Sequence, residues 1–253
     1  MQSLQVVIRT VDTDVLVLAV AFAGQLPNNQ TTEVWLSLGT GNRMRYVAAH
    51  EIARALGSQM SKALPFFHAF TGCDTVSSFA GKGKKTALAT WKTHPDVTES
   101  FLEMLDSPTS LQPESECFRR LERFVILLYE RTSTKTSVNE ERKHLFTQGK
   151  AFDAIPPTQA ALFQHAKRAL FQSAYCWSQA LTPAPVLPTP DMWGWVQKEG
   201  QWHPFWTQLP DITASCRELV RCKCKKGCQG RCSCVKADLK CTALCSCNEN
   251  CNN

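Results

Sequence analysis

The residues with the most specific chemistry are nine of the chain's thirteen cysteines, which fall within residues 222–251. Their spacing is CxC-x3-C-x3-CxC-x6-C-x3-CxC-x3-C, so the triplet CxC-x3-C both opens and closes the segment. Cysteines two residues apart are poor disulfide partners, and an odd number cannot all pair. A thiolate-metal cluster satisfies both constraints. The nine residues are Cys222, Cys224, Cys228, Cys232, Cys234, Cys241, Cys245, Cys247 and Cys251.

Zinc is the expected metal of this segment because it takes four thiolates in tetrahedral geometry at about 2.3 Å. Three such ions need twelve ligand positions, which nine sulfurs supply when six bind one ion and three bridge two. We therefore hypothesise a cluster of about three zinc ions. Two alternatives stay open. A metallothionein-like store has the same stoichiometry, and a disulfide scaffold is disfavoured only by the rarity of disulfides in reducing compartments.

The order CxCKKGC, then CxC, then CxxxCxC resembles the CXC domain of the tesmin/TSO1 family over about thirty residues. The resemblance implies a DNA-binding zinc module in which a tyrosine before the fourth cysteine reads the minor groove. Arg231 stands at that position here, and an arginine can enter a narrow minor groove by electrostatics. Lys225, Lys226 and Arg231 are the expected nucleic-acid contacts of this module. Their alternative role is to offset the negative charge of the thiolates.

Two aspartates form a second group with potential metal chemistry. Asp12 and Asp14 lie between the apolar runs QVVIRT and VLVLAVAF, a pattern that predicts a strand, an acidic turn, and then a helix or strand. Both carboxylates would sit at the carboxyl end of the first strand, where open α/β sheets bind ligands. One of them could instead cap a helix. With EVWLSLG and RMRYVAA as further strands and HEIARALG as a helix, the expected fold class is α/β.

Downstream, the segment ALPFFHAFTGCDTVSSFAGKGKKTA contains a third candidate carboxylate and a glycine-rich turn before a helix. The carboxylate is Asp74. Backbone N–H groups at the start of a helix, with lysines beside them, suit a phosphate group. The expected phosphate-binding turn consists of Gly81, Lys82, Gly83, Lys84 and Lys85.

Together, DTDVL, TGCD and SSFAGKGKKTA resemble the flap-endonuclease-like nucleases of the PIN-like superfamily over about residues 5–105. The resemblance implies that Asp12, Asp14 and Asp74 hold Mg²⁺ or Mn²⁺, and that the glycine-rich turn belongs to a helix–two-turn–helix that binds duplex DNA. In that family more carboxylates precede the DxD pair, and two-metal hydrolysis needs them. We therefore expect a partial nuclease-like domain that binds without cutting. The alternative is a working nuclease whose missing carboxylates come from another subunit.

The remaining residues predict two helices followed by a domain boundary. Apolar stripes over residues 116–131 and 162–177 indicate two helices, and the proline-rich residues 182–190 indicate an extended spacer. Four tryptophans follow the spacer, for which we expect a packing role rather than base stacking. The expected organisation has four parts: a partial PIN-like domain over 1–105, a helical extension over 106–181, a Pro/Trp-rich linker over 182–215 and a zinc module over 216–253.

Composition bounds the function classes. The formal charge of +6 would fall to about +3 with nine thiolates and three zinc ions bound. No stretch has the order of a signal peptide, and Val15 to Ala23 is about half a membrane span. We expect an intracellular protein, nuclear or cytoplasmic, without a membrane partner. The expected function is that of a mobile-element-derived, nucleic-acid-binding zinc protein with DNA as partner. The alternative is a zinc-stabilised protein-interaction module.

Overall fold

The computed structural model describes residues 4–27, 32–207, 222, 224, 232–236, 240–241 and 245–247. The chain divides into two compact units, Met1–Trp206 and Thr207–Asn253. Within the described ranges, every helix is too short or too polar to cross a membrane. The architecture is mixed α/β, which confirms the expected fold class at that level.

A three-stranded sheet opens the first unit. Strand β1 (Leu4–Thr10) runs parallel to β2 (Thr32–Leu38), and helix α1 (Thr13–Ala23) connects them. Strand β3 (Arg45–Ala48) pairs antiparallel with β2, so the strand order is β1-β2-β3. Helix α2 (Ala49–Leu56) follows directly. These elements occupy the positions that the apolar runs predicted.

Six further helices enclose the main hydrophobic core. They are α3 (Ser58–Phe70), α4 (Lys84–Thr93), α5 (Val97–Asp106), α6 (Glu116–Tyr129), α7 (Val138–Thr147) and α8 (Gln159–Leu170). The apolar stripes predicted for the region of α6 and α8 are buried, as expected of core-facing positions. Ser115 and Thr158 cap these two helices by accepting hydrogen bonds from backbone amides in their first turns.

Aromatic rings of α3 form the centre of that core. Phe66 and Phe70 are fully buried and stack with 5.6 Å between ring centroids. Phe67 stacks on Trp91 of α4 at 4.6 Å, and Phe66 contacts Phe101 of α5 at 5.1 Å. Helix α3 is thereby held on several sides, and its carboxyl end, where the TGCD loop begins, has a fixed position.

The tryptophan-rich segment forms an antiparallel hairpin that the sequence pattern did not predict. A helical turn at Pro190–Trp193 leads into β4 (Trp195–Lys198), which pairs with β5 (Gln201–Pro204). The connecting residues Glu199 and Gly200 both have positive φ, 51° and 78°. This is the backbone that two-residue hairpin turns favour.

Candidate functional site

Seven of the nine predicted metal-binding cysteines lie within the described residues. Cys228 and Cys251 lie outside them, as do Lys225, Lys226 and Arg231. The described sulfurs form two groups of four whose members all lie within 4.8 Å of one another. Cys222, Cys241, Cys245 and Cys247 make one group, and Cys222, Cys232, Cys234 and Cys241 make the other. Either group can hold a metal ion.

The distances between these sulfurs match shared metal coordination. Cys222 Sγ lies 3.6 Å from Cys247 Sγ and 3.8 Å from Cys241 Sγ, and Cys234 Sγ lies 3.6 Å from Cys245 Sγ. Ligands about 2.3 Å from a tetrahedral zinc are about 3.8 Å apart, whereas bonded disulfide sulfurs are about 2.05 Å apart. The two pairs that include Cys222 each lie within one group and have the spacing of ligands of one metal ion. Cys234 and Cys245 belong to different groups, and none of the three pairs has the spacing of a disulfide.

Cys222 and Cys241 belong to both groups of four. If each group held a four-coordinate ion, these two thiolates would bridge the two ions. Cys224 is in neither group. Thiolate bridging is the feature by which nine sulfurs could satisfy more than two tetrahedral ions.

Backbone geometry supports the sulfur positions. The amide of Cys222 donates to Cys245 Sγ at 3.4 Å, and the amide of Val235 donates to Cys232 Sγ at 3.5 Å. Helix α9 (Ser233–Lys236) is a single turn that carries Cys234. Burial, followed by the hydrogen bond to Cys245, raises the pKa of the Cys234 thiol to about 11. Metal binding would therefore have to displace protons, which a divalent cation does through its own charge.

A second polar cluster lies where β1 leads into α1. Asp12 caps α1, because its Oδ1 accepts a hydrogen bond from the Asp14 amide at 2.8 Å. Asp14 Oδ1 lies 2.8 Å from Nε2 of His68 on α3. The structure therefore brings the two aspartates together at the carboxyl end of a strand, as predicted. It also adds His68, which the sequence pattern did not connect with the aspartates.

His68 is buried beside Trp177, with 5.9 Å between ring centroids. Burial lowers its pKa most, followed by the nearby Lys84 ammonium, while the hydrogen bond to Asp14 acts in the opposite direction. A neutral His68 donates Nε2–H to Asp14 and orients that carboxylate. Sequence spacing could not show this pairing because the two residues are 54 positions apart.

Lys84 joins this cluster from the first turn of α4. Its ammonium donates to His68 O at 2.8 Å, to Thr71 Oγ1 at 3.1 Å and to Gly72 O at 2.5 Å. An ammonium has three protons, so these acceptors use its full donor capacity. Lys84 was one of the lysines predicted to bind phosphate. In this structure its ammonium instead links α4 to the end of α3.

Asp74 lies in an exposed turn at the end of α3. The turn is closed by the amides and carbonyls of Cys73 and Val76, which bond to each other at 2.9 and 3.3 Å. Gly72 before it has φ +113°, and a Cβ there would lie 2.8 Å from Ser78 Cβ. Among the described residues, only the two cysteine groups bring donor atoms close enough to hold a metal ion. Asp12, Asp14 and Asp74 do not form such a group in this structure.

The remaining predicted residues are exposed or half-buried at the start of α4. Gly81 has φ +68°, and Gly83 is the N-cap residue without a side-chain hydrogen bond. The Lys82 ammonium lies 4.9 Å above the Tyr129 ring. Burial raises the pKa of Tyr129 to about 12, so the phenol stays neutral. Lys82 and Lys85 therefore lie on either side of Gly83 and Lys84 in the chain, where α4 begins.

Comparison of the chain with protein-family models, with curated proteins and with solved structures found no match.

Proposed function

We propose that this chain is a zinc-containing protein that binds nucleic acid, with duplex DNA as its partner. The observation that carries the proposal is the start of α4. Two lysines, Lys82 and Lys85, lie beside a helix N-terminus whose first amides have no side-chain cap. Such amides carry partial positive charge and accept anions, so the turn suits a phosphate of the DNA backbone.

The fixed position of this turn supports the same function. Lys84 binds the end of α3 through three hydrogen bonds, and Trp91 later in α4 is fully buried. Helix α4, which follows the turn, is therefore held at its start and near its end, and the cost of ordering the turn on binding is small. Lys82 is further restrained by the Tyr129 ring.

The cysteine-rich unit supports zinc as the cofactor. All donors of the two groups are thiolate sulfurs, which select zinc over magnesium or calcium. We propose about three ions, with the third site formed by Cys224, the two cysteines outside the described residues and one further bridging thiolate. The basic residues between the cysteines then offset cluster charge and contact the DNA backbone, in the manner of a CXC-type module.

A salt titration of DNA affinity tests this function. We expect fluorescence anisotropy with a labelled duplex to show affinity falling steeply between about 50 and 200 mM salt. In a Lys82→Ala/Lys85→Ala double variant, the slope of log K against log salt should lose about two units, one for each lost phosphate contact. Lys92→Ala, on the exposed end of the same helix, is the matched control.

The outcomes separate the candidate functions. An unchanged slope in the double variant would refute the phosphate-binding role of the turn. Absence of binding by the unmodified chain at low salt would instead favour a zinc-stabilised protein-interaction module.

A second candidate function, metal-dependent cleavage of DNA, is favoured by one observation: Asp12, Asp14 and His68 meet at the carboxyl end of β1. Carboxylate oxygens are the ligands that Mg²⁺ and Mn²⁺ prefer. If the PIN-like resemblance extends to activity, flap, nicked or single-stranded DNA should be cut in the presence of either ion. Cleavage should be lost in Asp14→Asn and Asp74→Ala and kept in the control Asp106→Asn. No cleavage by the unmodified chain would leave binding as the function.

A further inference from the structure

The β4–β5 hairpin forms one wall of an open cleft of about 550 Å³ whose lining residues do not include the aspartate cluster. Three of the side chains that line the cleft are aromatic and one is acidic. They are Trp195, Trp202, Phe205 and Asp191, with Gln197 and Thr189 beside them. Asp191 is the charged residue of this lining.

The strand register brings the two tryptophans onto one face. Trp195 pairs with Pro204, and Trp202 lies two residues before Pro204 on β5. Residues two apart on a strand share a face, so the two tryptophans are diagonal neighbours, about 7 Å apart. Both rings line the cleft, and a cation bound within about 6 Å of either ring centroid would be attracted to that ring.

The cleft has a rigid support. Trp193 is buried against Tyr175, with 4.9 Å between ring centroids. The carbonyl of Gly194 accepts hydrogen bonds from Arg168 Nη1 at 3.1 Å and from the Phe205 amide at 2.9 Å. The backbone at Gly194 and Phe205, next to the cleft, is therefore fixed before any ligand arrives, which lowers the cost of binding.

From this geometry we propose that the cleft binds a quaternary ammonium group, such as the head of trimethyllysine or choline. Aromatic faces attract a cation by their quadrupole, and methyl groups on nitrogen replace the water that an ordinary ammonium retains. Asp191 supplies the counter-charge. A nucleobase would also stack on tryptophan, but a nucleotide brings a phosphate, and the cleft lining offers that phosphate a carboxylate instead of a cation.

Ligand-observed NMR with the full zinc-loaded chain tests the proposal. Choline is titrated in parallel with 3,3-dimethylbutan-1-ol, which has the same shape without the charge. We expect choline to bind at least about tenfold more tightly than the neutral analogue. Nα-acetyl-trimethyllysine methyl ester and its unmethylated counterpart form the next pair. Preference for the methylated lysine over choline would identify a modified protein as the source, and the reverse preference a free or lipid-borne head group.

Variants distinguish the cleft from other surfaces. Trp202→Ala should abolish choline binding and Asp191→Asn should weaken it several-fold, whereas Trp206→Ala, an exposed tryptophan that does not line the cleft, should leave it unchanged. Circular dichroism checks that each variant is folded. If Trp202→Ala is unfolded, the choline affinity of Asp191→Asn is the test of the cleft. Equal binding of choline and its neutral analogue, full binding by Asp191→Asn, or tighter binding of a nucleoside monophosphate would each overturn the proposal.

Discussion

The buried imidazole of His165 makes folding stability depend on pH in a specific window. His165 is enclosed by α8 and the end of α3, with ring centroids 5.3 Å from Phe70 and 4.9 Å from Phe79. Its Nε2 lies 2.8 Å from Phe70 O, and its Nδ1 lies 3.3 Å from Ser77 Oγ. A carbonyl oxygen only accepts, so Nε2 carries the proton and Nδ1 accepts from the hydroxyl.

Burial lowers the pKa of His165 from 6.5 to about 4, and the nearby Arg168 acts in the same direction. Between these two values the unfolded chain binds a proton that the folded chain does not. The stabilising contribution of His165 to the free energy of unfolding is therefore fully present above about pH 6.5 and is lost as the pH falls to about 4. At roughly 1.4 kcal/mol per pH unit, the full loss is about 3 kcal/mol, of which about 2 kcal/mol falls between pH 7 and pH 5.

The assay is urea unfolding of the unmodified chain and of His165→Gln at pH 7 and at pH 5. His68 and His94, whose pKa values are also lowered by burial, are retained in both proteins, so their contributions cancel in the comparison. We expect the unmodified chain to lose about 2 kcal/mol more than the variant over this interval. His203→Gln, on the exposed hairpin, should behave like the unmodified chain. Parallel pH profiles for His165→Gln and the unmodified chain would refute the assignment of a buried neutral imidazole.

Three further predictions concern the cysteines, the turn before the hairpin and the Lys84 contacts. Cys234→Ser should lower the number of zinc ions retained in native mass spectrometry by at least one, whereas Cys176→Ser should keep the full number; equal counts would contradict a ligand role. Gly194→Ala should destabilise the first unit by about 1 to 3 kcal/mol in urea unfolding because the new Cβ would lie 2.6 Å from Gln164 O at φ +83°. The control Gly200→Ala has a similar φ, +78°, but nothing within 4 Å of its Cβ, so a similar loss in both variants would exclude the steric contact as the cause. Lys84→Met should cost about 1 to 2 kcal/mol by the same measurement because it removes a donor from three acceptors, and a loss no larger than that of Lys85→Met would exclude the internal role of Lys84.

Much of the fold followed from residue pattern because local periodicity and burial agree. The apolar stripe predicted within residues 116–131 lies in α6 and is buried at all five of its positions, Cys117, Leu121, Phe124, Val125 and Leu128. Helix α3 was less accessible to sequence reasoning because Pro65 lies inside it, and a proline usually ends a helix. Here the packing of the phenylalanines around it outweighs the lost backbone hydrogen bond.

The hairpin and the histidine contact were missed for different reasons. Glu199-Gly200 is a weaker turn signal than Asn-Gly, and the tryptophans around it suggested packing instead of strand pairing. The contact between His68 and Asp14 depends on how α3 packs against α1, which no local pattern records. For the cysteines, spacing alone indicated the metal chemistry, because ligands of a small cluster are close in sequence as well as in space. The number of ions and the PIN-like and CXC-like relationships remain predictions.

Strand β1 shows how the exposure of an apolar segment relates to the sheet. Its run of Val6, Val7 and Ile8 has the composition of a strand covered on both faces, yet Val6 and Val7 are exposed, 37% and 61%. Within the described residues β1 pairs on one side only, with β2. An apolar strand with an open edge favours pairing with another strand. Asp12 and Asp14 follow the end of the same strand, so a strand added along this edge would place its own carboxyl end or amino end beside the aspartate cluster. If the aspartates hold Mg²⁺ or Mn²⁺, as the second candidate function requires, completing the sheet would also complete the metal site. Measuring whether a chain that associates through β1 gains Mn²⁺ affinity tests this, and association without any gain in affinity would refute it.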